Sequence, residues 1–248
     1  MILVIILKVL KRKRGNMRRD NIVNLNQNLS PVFQSYNLHN FRRIKQLQNF
    51  DTETLFEIEV VGNVLPFKVN NYVVDYLIDW DKAPDDPIYT LTFPQKDMLE
   101  KKDFETIANA LKNKKSKEEI NKLANEIRLR LNPHPAGQLE HNTPTFQNKK
   151  LNGLQRKYIE TVLIFPKNGQ SCHAYCTFCF RWPQFSGLEH LKFASKEFEN
   201  DIAFIEQNKD LTDILITGGD PMIMNFKVFS NYINAILESD TSHIKTIR

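Results

Sequence analysis

The chain has 248 residues, of which 41% are hydrophobic and 25% charged, a composition typical of a globular protein with one large or two smaller domains. No stretch approaches the roughly 20 apolar residues that cross a bilayer, which argues against a membrane-spanning protein. The net charge of +5 equals the five basic residues among the first 14 positions, so the remainder is neutral. The charge therefore does not indicate nucleic-acid binding.

The first 30 residues predict a polar, basic N-terminal tail. Residues 1–10 are largely apolar and residues 11–14 are basic, which reverses the order found in a secretory signal peptide. This order is compatible with a short membrane anchor, with translation starting at Met17, or with a basic tail that contacts phosphates. We expect a cytoplasmic protein without membrane or nucleic-acid partners, because the cysteine content suits a reducing compartment.

Residues 31–150 predict a mainly helical α+β region. A helix is expected over residues 41–47, and the alternation of apolar and charged residues over 56–60 predicts a half-buried strand. Residues 72–78 predict a second extended segment. The prolines and aspartates of residues 83–87 predict a loop.

Two helices are expected next in this region. The first spans residues 103–111. The second begins after Ser116, where Glu119 stands three residues further on and completes a capping box. Its apolar residues recur at the spacing of one helical face, and they are Ile120, Leu123, Ala124 and Ile127. The prolines that follow predict a loop or linker from about residue 133 to residue 152.

Residues 151–248 begin a different pattern, in which strands and helices alternate. The continuous apolar run at 161–165, stopped by Pro166, predicts a strand buried on both faces. Ser195 is expected to cap a helix. The apolar face of that helix consists of Phe198, Ile202 and Ile205.

Three further segments continue the alternation. Residues 214–216 predict a short buried strand, residues 226–237 a helix, and residues 243–248 a third strand. Strand and helix in this order predict an α/β fold with a parallel sheet and right-handed crossovers.

The three cysteines of the chain, Cys172, Cys176 and Cys179, lie within eight positions. An odd number crowded into one loop does not suit a disulfide framework and indicates a metal or redox site. Structural zinc takes four protein ligands, for which His173 is a candidate fourth. A 4Fe–4S cluster can be held at three corners, which leaves its fourth iron free for a small molecule. The C-x3-C-x2-C spacing favours the cluster over zinc and over three unrelated thiols.

Gly218, Gly219 and Asp220 follow the second predicted strand of the sheet. Glycines allow backbone to approach a ligand closely, and the aspartate supplies an anion for an ammonium group. A plain turn is the alternative for an isolated Gly-Gly-Asp-Pro sequence. Because the carboxyl ends of parallel strands meet at one edge, we expect this motif near the cysteine loop.

The cysteine motif, with Phe178 just before the last cysteine, resembles the signature of the radical S-adenosylmethionine superfamily. The resemblance implies that the three cysteines hold a 4Fe–4S cluster whose fourth iron chelates S-adenosylmethionine. Cleavage of that cofactor gives methionine and a 5′-deoxyadenosyl radical, which takes a hydrogen atom from the substrate. The residues implied to line the cofactor site are Phe178, Gly218, Gly219 and Asp220.

The Gly-Gly-Asp-Pro sequence and residues 85–88 (Asp-Asp-Pro-Ile) are similar to the lysine 2,3-aminomutase family within that superfamily. The resemblance implies that Arg181 binds the carboxylate of an amino-acid substrate, a role that suits its forked guanidinium; a surface salt bridge is the alternative. It also implies a contact of Tyr158 with pyridoxal phosphate, although Thr161 stands where the family has a basic residue. Residues 182–185 depart from the family's arginine-rich run, which suggests a divergent branch.

The family resemblance also implies a fold and an activity. Its TIM-type (β/α) barrel has about six strands, and residues 151–248 correspond to about the first three, so we expect a fragment or a barrel completed by another chain. The implied enzyme is an isomerase that moves an amino group between adjacent carbons, with an electron donor such as flavodoxin or ferredoxin as partner and a homo-oligomer possible. The alternative is a non-catalytic zinc- or iron–sulfur-binding module, or an inactive fragment.

Overall fold

The computed structural model describes residues 32–134, 137–195 and 197–248. The predicted tail, residues 1–30, lies outside the described residues. Within the described ranges, helices and short strands form a mixed α/β structure whose largest sheet has four strands and does not close into a barrel. No helix there combines the length and apolar character needed to cross a bilayer.

The N-terminal half contains short strands and several helices around two apolar clusters. In chain order these elements are β1 (Ser35–Asn37), α1 (Thr52–Val64), β2 (Lys68–Asn70), α2 (Pro87–Thr92), α3 (Lys101–Lys112) and α4 (Lys117–Arg130). Strands β1 and β2 pair antiparallel, with Tyr36 opposite Val69. The helix predicted at 41–47 is instead two 3-10 turns, Phe41–Arg43 and Lys45–Asn49.

The strand predicted over residues 56–60 is wrong, because this stretch lies within helix α1. Asp51 begins the helix, where its carboxylate accepts a hydrogen bond of 2.7 Å from the N–H of Thr54. The helix is buried on two sides, with Ile58 in one apolar cluster and Val61 in the other. Apolar residues on both sides of a helix obscure the 3.6-residue period and imitate the alternation of a strand.

The extended segment predicted over residues 72–78 is also wrong, since Val73–Leu77 form a turn of π-helix. The side-chain oxygen of Asn70 accepts a hydrogen bond of 3.0 Å from the N–H of Val73 and starts the turn. Tyr76 is exposed while Val73 is buried. The β-branched and aromatic composition favours a strand, but the asparagine offers the backbone a local helical alternative.

Helices α3 and α4 confirm the predictions made for residues 103–111 and for the segment after Ser116. The capping box is complete: the Ser116 hydroxyl accepts from the N–H of Glu119 at 3.2 Å, and the Glu119 carboxylate accepts from the N–H of Ser116 at 3.0 Å. The buried members of the predicted stripe are Ile120, Ala124 and Ile127.

The linker predicted between about residues 133 and 152 contains regular structure. A short helix, α5 (Gln138–His141), precedes an antiparallel hairpin of β3 (Thr145–Phe146) and β4 (Lys149–Lys150). Phe146 is buried in the apolar cluster of the large sheet, which ties the hairpin to the C-terminal half. A domain boundary at residue 150 stays a prediction.

The large sheet confirms the predicted parallel arrangement. Its strands, in sheet order, are β5 (Leu154–Gln155), β6 (Thr161–Ile164), β7 (Asp213–Ile216) and β8 (Thr246–Ile247). Strand β6 runs parallel to β7, and β7 runs parallel to β8, whereas β5 pairs antiparallel with β6. The parallel register places Ile164 opposite Ile216, so β6 and β7 end at the same edge.

Helices α6 (Phe198–Gln207) and α7 (Phe226–Glu238) lie between the parallel strands in the chain, as predicted. The predicted cap at Ser195 is wrong, because α6 begins after Glu197. The Ser195 hydroxyl instead donates a hydrogen bond to the carboxylate of Asp201, one turn into the helix. Both residues are buried. The Ser195 hydroxyl therefore provides a hydrogen bond to a buried carboxylate and does not cap the first N–H groups of the helix.

Candidate functional site

The cysteine loop begins where strand β6 ends. A 3-10 turn, Lys167–Gly169, reverses the chain after Pro166, and the three cysteines follow within the next ten residues. The loop therefore starts at the carboxyl edge of the parallel sheet, where the strand-to-helix loops of such sheets gather.

The loop that follows β7 contains the Gly-Gly-Asp motif. Its backbone N–H groups donate hydrogen bonds to backbone carbonyls at the end of β6 and at the start of the cysteine loop. The N–H of Thr217 donates to the carbonyl of Ile164 at 2.8 Å, and the N–H of Gly219 donates to the carbonyl of Gly169 at 3.1 Å. The N–H of Asp220 donates to the carbonyl of Ser171 at 2.7 Å. The structure thus brings the Gly-Gly-Asp motif to the residue before Cys172, at the edge where the sequence predicted it.

Both glycines of the motif are required by close packing. A Cβ on Gly219 would lie 2.1 Å from the carbonyl oxygen of Ser171, inside the van der Waals distance. Gly218 has φ +133°, a conformation that side chains other than glycine rarely adopt, and a Cβ there would lie 2.2 Å from the amide of Gln170. The glycines therefore let two loops pack backbone to backbone beside the first cysteine.

The N-terminal half fixes the middle of the cysteine loop. The N–H of Tyr175 donates to the carbonyl of Lys68 in β2 at 2.8 Å, and the Asn70 amide donates to the carbonyl of His173 at 3.3 Å. Thr177 uses both its N–H and its hydroxyl to bond the last carbonyls of helix α2, each at 2.8 Å. The loop is consequently held between the sheet and the N-terminal elements.

Helix α2 begins within residues 85–88, the Asp-Asp-Pro-Ile sequence that is similar to the lysine 2,3-aminomutase family. The carboxylate of Asp86 is buried and accepts from the N–H groups of Ile88 and Tyr89 at 2.9 and 2.8 Å, and Pro87 occupies the first turn. An aspartate cap followed by proline is a helix-start signal that could have revealed this element from the sequence. The motif thereby positions the carbonyls that bind the cysteine loop.

The three thiols are free, with Cys172 and Cys179 half-buried and Cys176 exposed. The pKa of Cys172 is raised to about 11, mainly by burial and in smaller part by the neighbouring Cys179, Asp220 and Cys176, while Lys68 opposes the shift. Burial also raises the pKa of Cys179. Cys172, Cys176, Cys179 and Asp220 lie close enough for their charges to interact, so the donor set fits a cationic iron–sulfur core that compensates their negative charge.

A site for a single metal ion, such as structural zinc, needs a different arrangement of ligands from a site for an iron–sulfur cluster. Among the described residues, no group of three or more His, Cys, Asp or Glu side chains stands in a geometry that could hold a single ion. The His173 ring, proposed as a fourth zinc ligand, is exposed and packs edge-on against Phe33, with ring centroids 5.8 Å apart.

Phe178 projects from the cysteine loop and is 79% exposed. It borders a cavity of about 310 Å³ between the loop and the N-terminal helices. Cys176 and Cys179 line the same cavity, together with Leu65 and Met98. The structure therefore places Phe178 beside two of the cysteines, on the side that faces the N-terminal half.

Arg181 is half-buried on aromatic rings. Its guanidinium carbon lies 4.2 Å from the ring centroid of Phe165 and 5.1 Å from that of Phe180, and burial lowers its pKa. No ion pair of Arg181 occurs among the residues that the structure describes, so the surface salt bridge considered for it is not seen there. The guanidinium keeps donors for a carboxylate.

Residues Trp182–Phe185, which depart from the family pattern, form a 3-10 turn that supports the loop. The ring of Phe185 stacks on Tyr175 at 4.4 Å, and the buried amide of Gln184 accepts from the N–H of Phe193 at 2.8 Å. These contacts give the divergent sequence a packing role.

Tyr158 is not brought to this site. It precedes strand β6, at the end of the strand opposite the cysteine loop, and it is 61% exposed. Lys157 lies over its ring, 5.6 Å from the centroid.

Comparison with known proteins supports one family, although no family model matches the chain. The L-lysine 2,3-aminomutase of Methanococcus maripaludis is 25% identical over 245 residues, 98% of this chain and 46% of that protein. A protein of Aquifex aeolicus with the provisional name L-lysine 2,3-aminomutase is 23% identical over 205 residues, 83% of this chain and 43% of its own length. The L-lysine 2,3-aminomutase of Bacillus subtilis is 33% identical over 96 residues, 39% of this chain and 19% of that protein.

The matches to the Methanococcus and Aquifex proteins run along most of the chain, yet the chain spans about half the length of those curated relatives. The relatives carry the same enzyme name that the cysteine and Gly-Gly-Asp motifs indicated. The chain is thus similar along most of its length to proteins named L-lysine 2,3-aminomutase, which supports its assignment to that family.

Proposed function

We propose that the chain is a radical S-adenosylmethionine isomerase of the lysine 2,3-aminomutase type, with a 4Fe–4S cluster held by Cys172, Cys176 and Cys179. The observation that carries the proposal is the hydrogen bond from the N–H of Asp220 to the carbonyl of Ser171. It joins the Gly-Gly-Asp loop to the cysteine loop at the edge of a parallel sheet where such enzymes assemble their sites. Two motifs remote in sequence meet there, which a coincidental turn would not explain.

The residues of this edge suit the binding of S-adenosylmethionine. Gly218 and Gly219 present bare backbone beside Cys172, and the Asp220 carboxylate supplies an anion for the cofactor's amino group. One oxygen of Asp220 accepts from the N–H of Met222 at 2.9 Å, which orients the carboxylate. We assign Phe178 to the same cofactor site, on the strength of its place beside the cysteines.

The reaction combines cofactor chemistry with substrate positioning by the protein. When bound, the cluster and S-adenosylmethionine supply a 5′-deoxyadenosyl radical that takes a hydrogen atom from the substrate. The half-buried guanidinium of Arg181 suits the carboxylate of an amino-acid substrate, because it can donate two parallel hydrogen bonds. One electron for each activation would come from a flavodoxin- or ferredoxin-type donor.

Two parts of the proposal depend on the family alone. Pyridoxal phosphate would carry the migrating amino group, and the position of Tyr158 lends no support to the contact implied for it. Strands β6, β7 and β8 would be the first part of a TIM-type barrel preceded by residues 31–150. The free thiols suit the cytoplasm.

Anaerobic reconstitution with iron and sulfide tests the proposal. We expect the wild-type protein to become brown and to bind about four iron and four sulfide ions per chain. Each of the variants C172S, C176S and C179S should lose most of this iron, because each thiolate holds one corner.

The matched control is H173A, which removes the neighbouring imidazole and should keep the iron content of the wild type. A colourless protein that binds one zinc ion and loses it in H173A would overturn the proposal. Such a result would establish a zinc module with three cysteines and one histidine.

A further inference from the structure

Lys68 reaches the cysteine loop from the opposite half of the molecule. It lies in strand β2, whose neighbouring residues Val69 and Asn70 are buried, so the backbone at this position is fixed. The carbonyl of Lys68 accepts from the N–H of Tyr175, and its ammonium donates to the hydroxyl of Ser171 at 3.2 Å. One residue thus binds the loop on both sides of Cys172.

The ammonium of Lys68 is not paired with a carboxylate among the described residues. It lies 5.7 Å from the ring centroid of Tyr175. The side chain is half-buried, which limits screening by water. Its nearest polar contact, Ser171, directly precedes the first cysteine, so its positive charge is directed at the cysteine loop.

A positive charge beside an iron–sulfur cluster has a defined effect. The reduced cluster carries one more negative charge than the oxidised cluster, so a nearby cation stabilises the reduced form more. Net charge, hydrogen bonds to sulfur and solvent exposure are the terms by which a protein sets a cluster's reduction potential.

We propose that the positive charge of Lys68 raises the reduction potential of the cluster held by the cysteine loop. The inference rests on the function proposed above. In this proposal, the lysine from the N-terminal half compensates the negative charge of the added electron. An electron donor of moderate potential can then reduce the cluster. The N-terminal region is then part of the redox site.

A purely structural role is the rival explanation, since Lys68 also tethers the loop through Ser171. Three substitutions separate the two. K68M removes both charge and hydrogen bond, K68Q removes the charge but keeps a donor, and K68R keeps the charge. K117M removes a lysine of the same charge from an exposed position on helix α4 and serves as the control.

The measurement is an anaerobic redox titration of each reconstituted protein, followed by the EPR signal of the reduced cluster. At a fixed potential, the ratio of reduced to oxidised cluster should fall about tenfold in K68M and K68Q, equal to about 59 mV for a one-electron couple. K68R and K117M should stay within about twofold of the wild type.

Two results would overturn the inference while the proposed function stands. One is an unchanged potential in K68M and K68Q at wild-type iron content. The other is loss of the cluster in K68Q and not in K68R, which would mean that the charge acts on assembly. Absence of a cluster from the wild-type protein would instead defeat the proposed function itself, and the inference with it.

Discussion

The Gly219→Ala variant should be less stable than the wild type by about 3 kcal/mol or more, and it should fail to retain a reconstituted cluster. The added methyl carbon would lie 2.1 Å from the oxygen and 2.4 Å from the carbonyl carbon of Ser171. Both are backbone atoms, so no side-chain rotation relieves the contact. The two loops must separate, and Cys172 moves with them. Chemical denaturation and iron content measure the two effects.

Gly169→Ala is the matched control, because Gly169 lies in the same pair of loops and its carbonyl bonds Gly219. A Cβ at residue 169 meets its nearest atom, the terminal methyl of Met224, at 3.5 Å, an ordinary contact. We expect a change of less than about 1 kcal/mol and wild-type iron content. Equal stability of the two alanine variants would show that the close contact of the loops does not exist in solution.

The Asp201→Asn variant should be more stable than the wild type above neutral pH, by an amount on the order of 2–4 kcal/mol. Asp201 is 2% exposed, and burial raises its pKa to about 7, from 3.8 in the unfolded chain. The native state therefore holds a proton that the unfolded state releases at lower pH. Stability is highest below about pH 4, falls as the pH rises to about 7, and is constant above.

Asparagine can still accept the hydrogen bond from Ser195 and carries no charge, so the variant should lack this fall in stability. Urea unfolding at several pH values measures it. Asp210→Asn is the control, since that carboxylate is exposed just after the same helix, and it should retain the wild-type slope. A wild-type slope in Asp201→Asn itself would mean that the buried carboxylate is not the source of the pH dependence.

Prediction of the fold from sequence succeeded where one face of a helix is buried or where a strand contains an uninterrupted apolar run. Helix α4 shows a single stripe with a capping box, and strands β6 and β7 each contain three consecutive apolar residues, 162–164 and 214–216. It failed for helix α1, which packs between two apolar clusters and so lacks a single stripe. Tertiary burial on both sides removes the period on which the prediction depends.

The candidate site was predictable to the extent that it follows from sheet topology. Parallel strands end at one edge, so Cys172 and Gly219 could be expected to meet there. The contacts from Lys68 and Thr177 could not be expected, because they join the loop to segments about 90 to 100 residues away. No local pattern encodes such a contact. Asp86 and Pro87 do carry a helix-start signal for the helix whose carbonyls bind Thr177, but the loop predicted over residues 83–87 overlooked it.

The central claim is that the three cysteines hold a cluster whose remaining iron is open to S-adenosylmethionine. The most direct test is the EPR spectrum of the reduced, reconstituted protein recorded with and without that cofactor. We predict a 4Fe–4S signal that changes shape when the cofactor is added and that stops responding in the Asp220→Ala variant. A cluster signal that is identical with and without S-adenosylmethionine would contradict the claim.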